Sequence, residues 1–185
     1  MKTIAMIPAR MGSKRIEKKN IRILNGKPLI SYVIEAAIEA GCFDEIYINS
    51  ESEVFKDIAE TYKIKFYKRP KELSNDDKTN DHFTEDFLTN IECDTLIQLL
   101  PTSPFITKKE IVDFTNKMLT GEYDTLISVN NQQIESLYDG SPINFDNKKI
   151  TPPSQSLKPV QTYACSLMGW NKDNYISNMN KYKAG

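Results

Sequence analysis

The sequence predicts a three-layer α/β fold, a mostly parallel sheet with helices on both faces. Three observations carry that prediction. Short apolar runs alternate with segments of helical periodicity from residue 3 to residue 67, the order that βαβ units require. The run Ile4–Ile7 is apolar throughout and reads as a buried strand, and Asp94–Leu100 is the most strand-like run in the chain and should be central. The polar, small and basic residues gather in the segments that follow these strands, where doubly wound sheets carry their ligand loops.

Taken in order, Ile4–Ile7 is followed by Pro8 and a loop, and Ile21–Leu24 leads into the turn Asn25-Gly26. From Leu29 to Ala40 the apolar positions Leu29, Ile30, Val33, Ile34, Ala37 and Ile38 recur at helical spacing, with Gly41 as the stop. Phe43–Asn49 reads as a strand and Val54–Tyr62 as a helix with Val54, Ile58 and Ala59 on one side. Ile64–Tyr67 is a short strand, and the polar segment Arg69–Asp81 precedes a helix over Phe83–Ile91. Pro101-Thr102-Ser103-Pro104 ends the central strand, since proline cannot continue the ladder. Thr107 with Glu110 forms a capping box for a helix from Lys108, whose Ile111, Phe114, Met118 and Leu119 face the core. Thr125–Val129 and Tyr163–Trp170 are further strands, and between them, from 130 to 161, periodicity dissolves.

A chain of 185 residues, 39% apolar and 26% charged, has the length of a single domain. A formal net charge of -1 argues against a general nucleic-acid surface, so the local basic cluster stands out as a site. Cys42, Cys93 and Cys165 are scattered and odd in number, which suits a reduced, cytoplasmic chain. No apolar run has the length of a signal peptide core or a membrane span, so no membrane association is expected.

That cluster is Ala9-Arg10-Met11-Gly12-Ser13-Lys14-Arg15, with Lys18 and Lys19 beyond it. A strand feeding a loop with one glycine, one serine and several cations suits a polyphosphate: glycine permits close approach, backbone N–H groups donate to oxygens, and the cations neutralise charge. The spacing is neither G-x-x-x-x-G-K-[ST] nor G-x-G-x-x-G.

Ile7-Pro8-Ala9-Arg10, Gly12-Ser13-Lys14-Arg15 and Lys19-Asn20 together resemble the signature loop of the CTP-dependent sugar-acid cytidylyltransferases. Asn25–Leu29, Ser50-Glu51, Arg69–Ser74 and Leu100–Phe105 extend the resemblance, in family order, through residues 3 to 130. The resemblance implies a nucleotide-diphospho-sugar-transferase-like (Rossmann-like) fold that transfers CMP from CTP to an acidic sugar such as an N-acylneuraminate, releasing pyrophosphate. It implies Arg10 and Lys19 as catalytic phosphate anchors. The nucleotide set is Ala9, Arg10, Met11, Gly12, Ser13, Lys14, Lys19, Arg69 and Gln98, and Thr102, Ser103 and Gln155 are sugar-site candidates. It further implies Mg²⁺ as cofactor and a homodimer built through an excursion at about 130–161.

Two departures accompany it. The family's glutamine before Pro-Thr-Ser-Pro is replaced by Leu100, with Gln98 two residues earlier as the candidate substitute. The family's C-terminal Asp-x-Asp magnesium pair is absent, as though that portion were missing, so the metal ligands stay unassigned and Asp76, Asp77 and Asp81 are weak replacements. In the 69–81 segment the family places an acidic residue before a hydroxyl; Asp77 and Thr79 match it with an offset of one. His82, the single histidine, reads as a surface residue at a helix start. Two other readings stay open: the same fold with another acidic acceptor, and a non-catalytic nucleotide-binding or interaction protein.

Overall fold

The structure, a computed structural model, describes residues 1–13 and 15–184, with side chains through Lys181. In chain order the strands and helices are β1 (Thr3–Pro8), β2 (Ile23–Leu24), β3 (Lys27–Pro28), α1 (Leu29–Ala40), β4 (Glu45–Ser50), α2 (Val54–Thr61) and β5 (Lys65–Lys68). They continue with α3 (Asn80–Asn90), β6 (Thr95–Leu99), α4 (Lys108–Met118), β7 (Thr125–Gln132), β8 (Leu137–Tyr138), β9 (Ser141–Pro142), β10 (Val160–Asn171) and α5 (Lys172–Ala184). The chain divides into two compact units, Met1–Leu126 with Ser166–Gly185, and Ile127–Cys165.

The main sheet runs β5-β4-β1-β6-β10-β7. β1 is parallel to β4 and to β6, β4 is parallel to β5, and β10 is antiparallel to β6. Every residue of β1 and β6 is buried, as strands covered on both faces require. On one face Ala5, Ile7, Ile48, Ile97 and Leu99 pack with apolar residues of α1, α2 and α4. On the other, Tyr47 meets Phe87 of α3 edge to face at 5.4 Å, and Trp170 meets Tyr175 of α5 at 5.6 Å. The result is the three-layer arrangement that the strand–helix alternation predicts. Gly169 in β10 has a packing reason: a Cβ there would lie 3.0 Å from Ile97 Cδ1 and 3.1 Å from Phe114 Cε1.

Several boundaries differ from the sequence reading, each for a local reason. β4 begins at Glu45 rather than Phe43, because Asp44 closes the strand entrance by accepting the Thr3 N–H at 2.7 Å and donating its own N–H to Thr3 O. In α2 the buried residues are Phe55 and Ala59, while Val54 is 42% exposed, so the inward stripe lies one residue round from the predicted one. α3 starts at Asn80, three residues before the predicted Phe83, because Thr79 and His82 cap it reciprocally; the Thr79 N–H donates to His82 Nδ1 at 3.1 Å. His82 is exposed, but it holds a helix start. In α4 the Thr107–Glu110 capping box is present, while Phe114 and Leu119 are only half-buried and Thr115 shares the inner stripe.

The Ile127–Cys165 unit is held differently. β8 and β9 form a hairpin through Asp139 and Gly140, both at positive φ (48° and 74°), where a left-handed turn is needed. Side-chain amides tie the remaining backbone: Gln133 Nε2 donates to Gln155 O and Leu157 O, and Asn144 Nδ2 to Ile134 O and Lys158 O.

Candidate functional site

Because β5, β4, β1 and β6 are parallel, their carboxyl ends share one edge of the sheet. The segments following them are Arg69–Asp77, Glu51, Ala9–Ser13 and Pro101–Phe105 respectively. The winding reverses between β1 and β6, since β4 and β5 lie on one side of β1 and β6 on the other. Such a switch point is where open α/β sheets bind ligands.

The loop after β1 is fastened residue by residue. Ala9 N–H donates to Asn49 O at 3.0 Å, and Ala9 O accepts from Arg69 Nη2 at 3.0 Å. Arg10 O accepts from Asn20 Nδ2 at 3.3 Å, and Arg10 Nη1 donates to Ser74 O at 3.1 Å and to Asp76 Oδ1 at 3.3 Å. Met11 N–H donates to Glu51 Oε1 at 2.9 Å, and Ser13 N–H donates back to Met11 O at 2.9 Å. Gly12 and Ser13, with Ser74, Asn75, Asp76 and Asp77, line a recess of about 740 Å³ open to solvent.

Gly12 is exposed, its φ lies outside the left-handed region, and a Cβ there would meet nothing within 4 Å. Nothing in the fold itself demands glycine at this position, whereas a ligand laid against the loop would. The electrostatics agree. Lys19 is half-buried, and burial, followed by the charges of Arg15 and Arg10, depresses its pKa below the usual lysine value. Cations crowded in this way favour an anion between them.

The predicted residues do not all share one role. Ala9, Arg10, Met11, Gly12, Ser13 and Lys19 come together at this edge, while Lys14 lies outside the described residues. Met11 N–H is occupied by Glu51 and Ser13 N–H by Met11 O, which leaves Gly12 N–H and the Ser13 hydroxyl as candidate donors among the described residues. Arg69 is 3% exposed and turned inward: besides Ala9 O it reaches Ser74 Oγ at 3.0 Å and Glu51 Oε2 at 3.3 Å, and its guanidinium lies 4.9 Å from the Phe83 ring centroid. Gln98 is fully buried on the α3 side of β6, accepting from Thr84 Oγ1 at 3.3 Å and donating to Asn80 Oδ1 at 2.7 Å. Its carboxamide is thus engaged with α3. Thr102 is exposed, and Ser103 Oγ donates to Ser166 Oγ at 2.9 Å. Gln155 is exposed within the Ile127–Cys165 unit.

Sequence reading gave no role to Glu51, Ser74 or Asn20. The available signal was their place in the chain, after β4 and β5 or just beyond the basic loop, but partners 10 to 64 positions away are not visible as a spacing. No group of three His, Cys, Asp or Glu side chains placed to hold a metal ion occurs among the described residues. Asp76 is paired with Arg10, and Asp77 with Lys78.

A mostly parallel α/β sheet with a cationic loop at its switch point defines a nucleotidyltransferase-like protein. The cytidylyltransferase family model matches residues 4–159, and the chain belongs to that family. It is 37% identical over 167 residues to the N-acylneuraminate cytidylyltransferase of Escherichia coli O18:K1:H7 (strain RS218 / NMEC), covering 88% of this chain and 35% of that protein. It is 49% identical over 77 residues to the pseudaminic acid cytidylyltransferase of Campylobacter jejuni subsp. jejuni serotype O:2, covering 41% of this chain and 33% of that one. Among solved structures, a CMP:2-keto-3-deoxy-manno-octonic acid synthetase complexed with CTP superposes with a TM-score of 0.69 at 20% identity, covering 98% of this chain and 78% of that chain. A 4-diphosphocytidyl-2C-methyl-D-erythritol synthase from Anaerococcus prevotii gives a TM-score of 0.69 at 16% identity, covering 100% of this chain and 77% of that one. These two likenesses establish the fold. The chain spans 35%, 45% and 32% of the length of three of its curated relatives.

Proposed function

We propose that this chain binds CTP and transfers CMP to the hydroxyl of an acidic sugar, an N-acylneuraminate or a related nonulosonic acid, with release of pyrophosphate. The observation that carries the proposal is the crowding of Arg10, Arg15 and Lys19, with Lys19's pKa depressed, around an open Gly12–Ser13 loop at the switch point of a cytidylyltransferase-family sheet. In the reaction a sugar oxygen bonds to the α-phosphorus as the bond to the pyrophosphate oxygen breaks. Arg10 and Lys19 would neutralise the phosphates, and Gly12 N–H and Ser13 Oγ would donate to their oxygens. Thr102 and Ser103 of the sheet unit remain the proposed contacts to the sugar acid.

Magnesium belongs to the expected chemistry, where it would neutralise the triphosphate. The described side chains hold no cluster of three ligand-type groups that would bind it without the nucleotide, and Asp76 and Asp77, the carboxylates lining the recess, are each paired with a cation. The same observation favours a second reading, a chain that binds CTP without turning it over.

Assembly as a homodimer through the Ile127–Cys165 unit is supported by its exposed Ile134, Leu137, Tyr138, Ile143 and Ile150. A cytoplasmic setting is supported by the free cysteines Cys42, Cys93 and Cys165 and by the intracellular nature of CTP. Among the described residues no helix is long and apolar enough to cross a membrane.

Calorimetric titration with CTP and ATP, followed by an assay of CMP transfer to a panel of acidic sugars, tests the reading. CTP is expected to bind more tightly than ATP. Equal affinities, with Arg10→Ala leaving both unchanged, overturn it.

A further inference from the structure

We infer that Glu51 is the positioning residue of the nucleotide loop, acting through Met11 and with Arg69 as its buried counter-charge; this rests on the CTP reading. Glu51 Oε1 accepts the Met11 N–H, while Oε2 accepts from Ser74 Oγ at 2.9 Å, Arg69 Nη2 at 3.3 Å and Ser50 Oγ at 3.3 Å. Arg69 closes the figure from the other side by donating to Ala9 O and Ser74 Oγ. One ion pair thus joins the ends of three adjacent strands, β1, β4 and β5.

The pair is costly. The Arg69 side chain is 3% exposed and that of Glu51 12%, and taking both charges out of water is repaid only if each finds enough partners. Burial works against the Glu51 charge, yet the backbone N–H groups of Met11 and Glu51, the Ser74 hydroxyl and Arg69 together hold its carboxyl below the usual range. An apolar pair of the same volume would fill this space at less electrostatic cost, but it could not orient a peptide group.

Orientation is what the contacts supply. Tying Met11 N–H and Ala9 O inward fixes the peptide planes on both sides of Arg10. Gly12 and Ser13, the next residues, line the recess, and the Arg10 side chain runs to Ser74 and Asp76 at its rim. Glu51 is not among the residues that line the recess, and both its oxygens are engaged by other donors, so its influence on nucleotide runs through the loop.

The test is titration of the full chain with CTP and with inorganic tripolyphosphate, at several salt concentrations. Glu51→Gln keeps the size and one acceptor but loses the charge that holds Arg69. It is expected to weaken both ligands by the same factor, roughly tenfold, about the worth of one charge-assisted hydrogen bond. Glu51→Asp should recover part of the loss. Salt separates positioning from contact: Arg10→Ala should flatten the salt dependence, whereas Glu51→Gln should lower affinity at unchanged slope. If the single variant does not fold, Glu51→Gln with Arg69→Gln removes the unpaired charge and is expected to fold while still binding weakly. Wild-type affinity in either folded variant, with Arg10→Ala weakened, overturns the positioning role alone. Failure of the wild type to bind both ligands overturns the CTP reading and this inference with it.

Discussion

The two units use apolar side chains in opposite ways. In the sheet unit Ile4, Ile7, Ile48 and Leu96 are wholly buried, and the polar residues gather at the carboxyl edge of the strands. In the Ile127–Cys165 unit Tyr138 is 77% and Ile150 96% exposed, and side-chain amides tie the backbone together. A segment of this length cannot close a core of its own, so its backbone bonds are satisfied locally and its apolar groups stay available to a partner surface. Residues of one chemical type therefore do different work in the two units, and substitution should expose the difference.

The largest effect is expected in the sheet. Phe55→Ala removes a fully buried ring from α2 and should cost about 3–5 kcal/mol by chemical denaturation. Tyr138→Ser, by contrast, should leave chain stability within about 0.5 kcal/mol and, if the proposed dimer forms through this unit, shift the mass seen in sedimentation toward the monomer. Comparable losses at both positions would break the contrast between the units. The next effect belongs to the edge: Arg10→Ala should weaken CTP binding by about 1.5–3 kcal/mol in calorimetry, as expected for a charged partner to phosphate.

Asp76→Asn should act in the opposite sense. Its carboxylate is paired with the half-exposed Arg10 guanidinium and lines the same recess, so it competes with phosphate for that cation. Removing one charge of such a partly exposed pair should tighten CTP binding by about 0.2–1 kcal/mol. Weaker binding would instead make Asp76 part of the ligand contact.

The smallest signal is the proton linked to Lys19. Its pKa is depressed without ligand, so the amine loses its proton as pH rises through that lowered value. A triphosphate bound against Lys19, as proposed, would raise that pKa again, so binding at alkaline pH should take up protons and weaken as pH rises. Calorimetry in two buffers of different ionisation enthalpy measures the uptake, and Lys19→Arg should abolish it. No uptake would place the phosphates away from Lys19.

Much of this molecule was legible in the order of its residues. The strand-like runs Ile4–Ile7 and Asp94–Leu100 (a strand over Thr95–Leu99), the Gly41 stop, the Thr107–Glu110 box and the loop from Ala9 to Ser13 are local patterns, decided by sterics and periodicity within a few residues of each other. The edge on which the loops gather followed from the parallel alternation. The sequence by itself could not tell an arginine at the rim of the recess from one buried beneath the loop. Arg10 and Arg69 are both arginines in polar segments after strands, yet one stands at the rim and the other is buried against Glu51, Ser74 and Ala9 O. Gln98 is likewise a polar residue near the end of a central strand, and only the packing of α3 supplied Asn80 and Thr84 to engage it. These choices were left to the tertiary structure because a buried charge or amide is stable only where partners from distant segments converge on it. That convergence is a property of the assembled sheet edge and of no single stretch of chain.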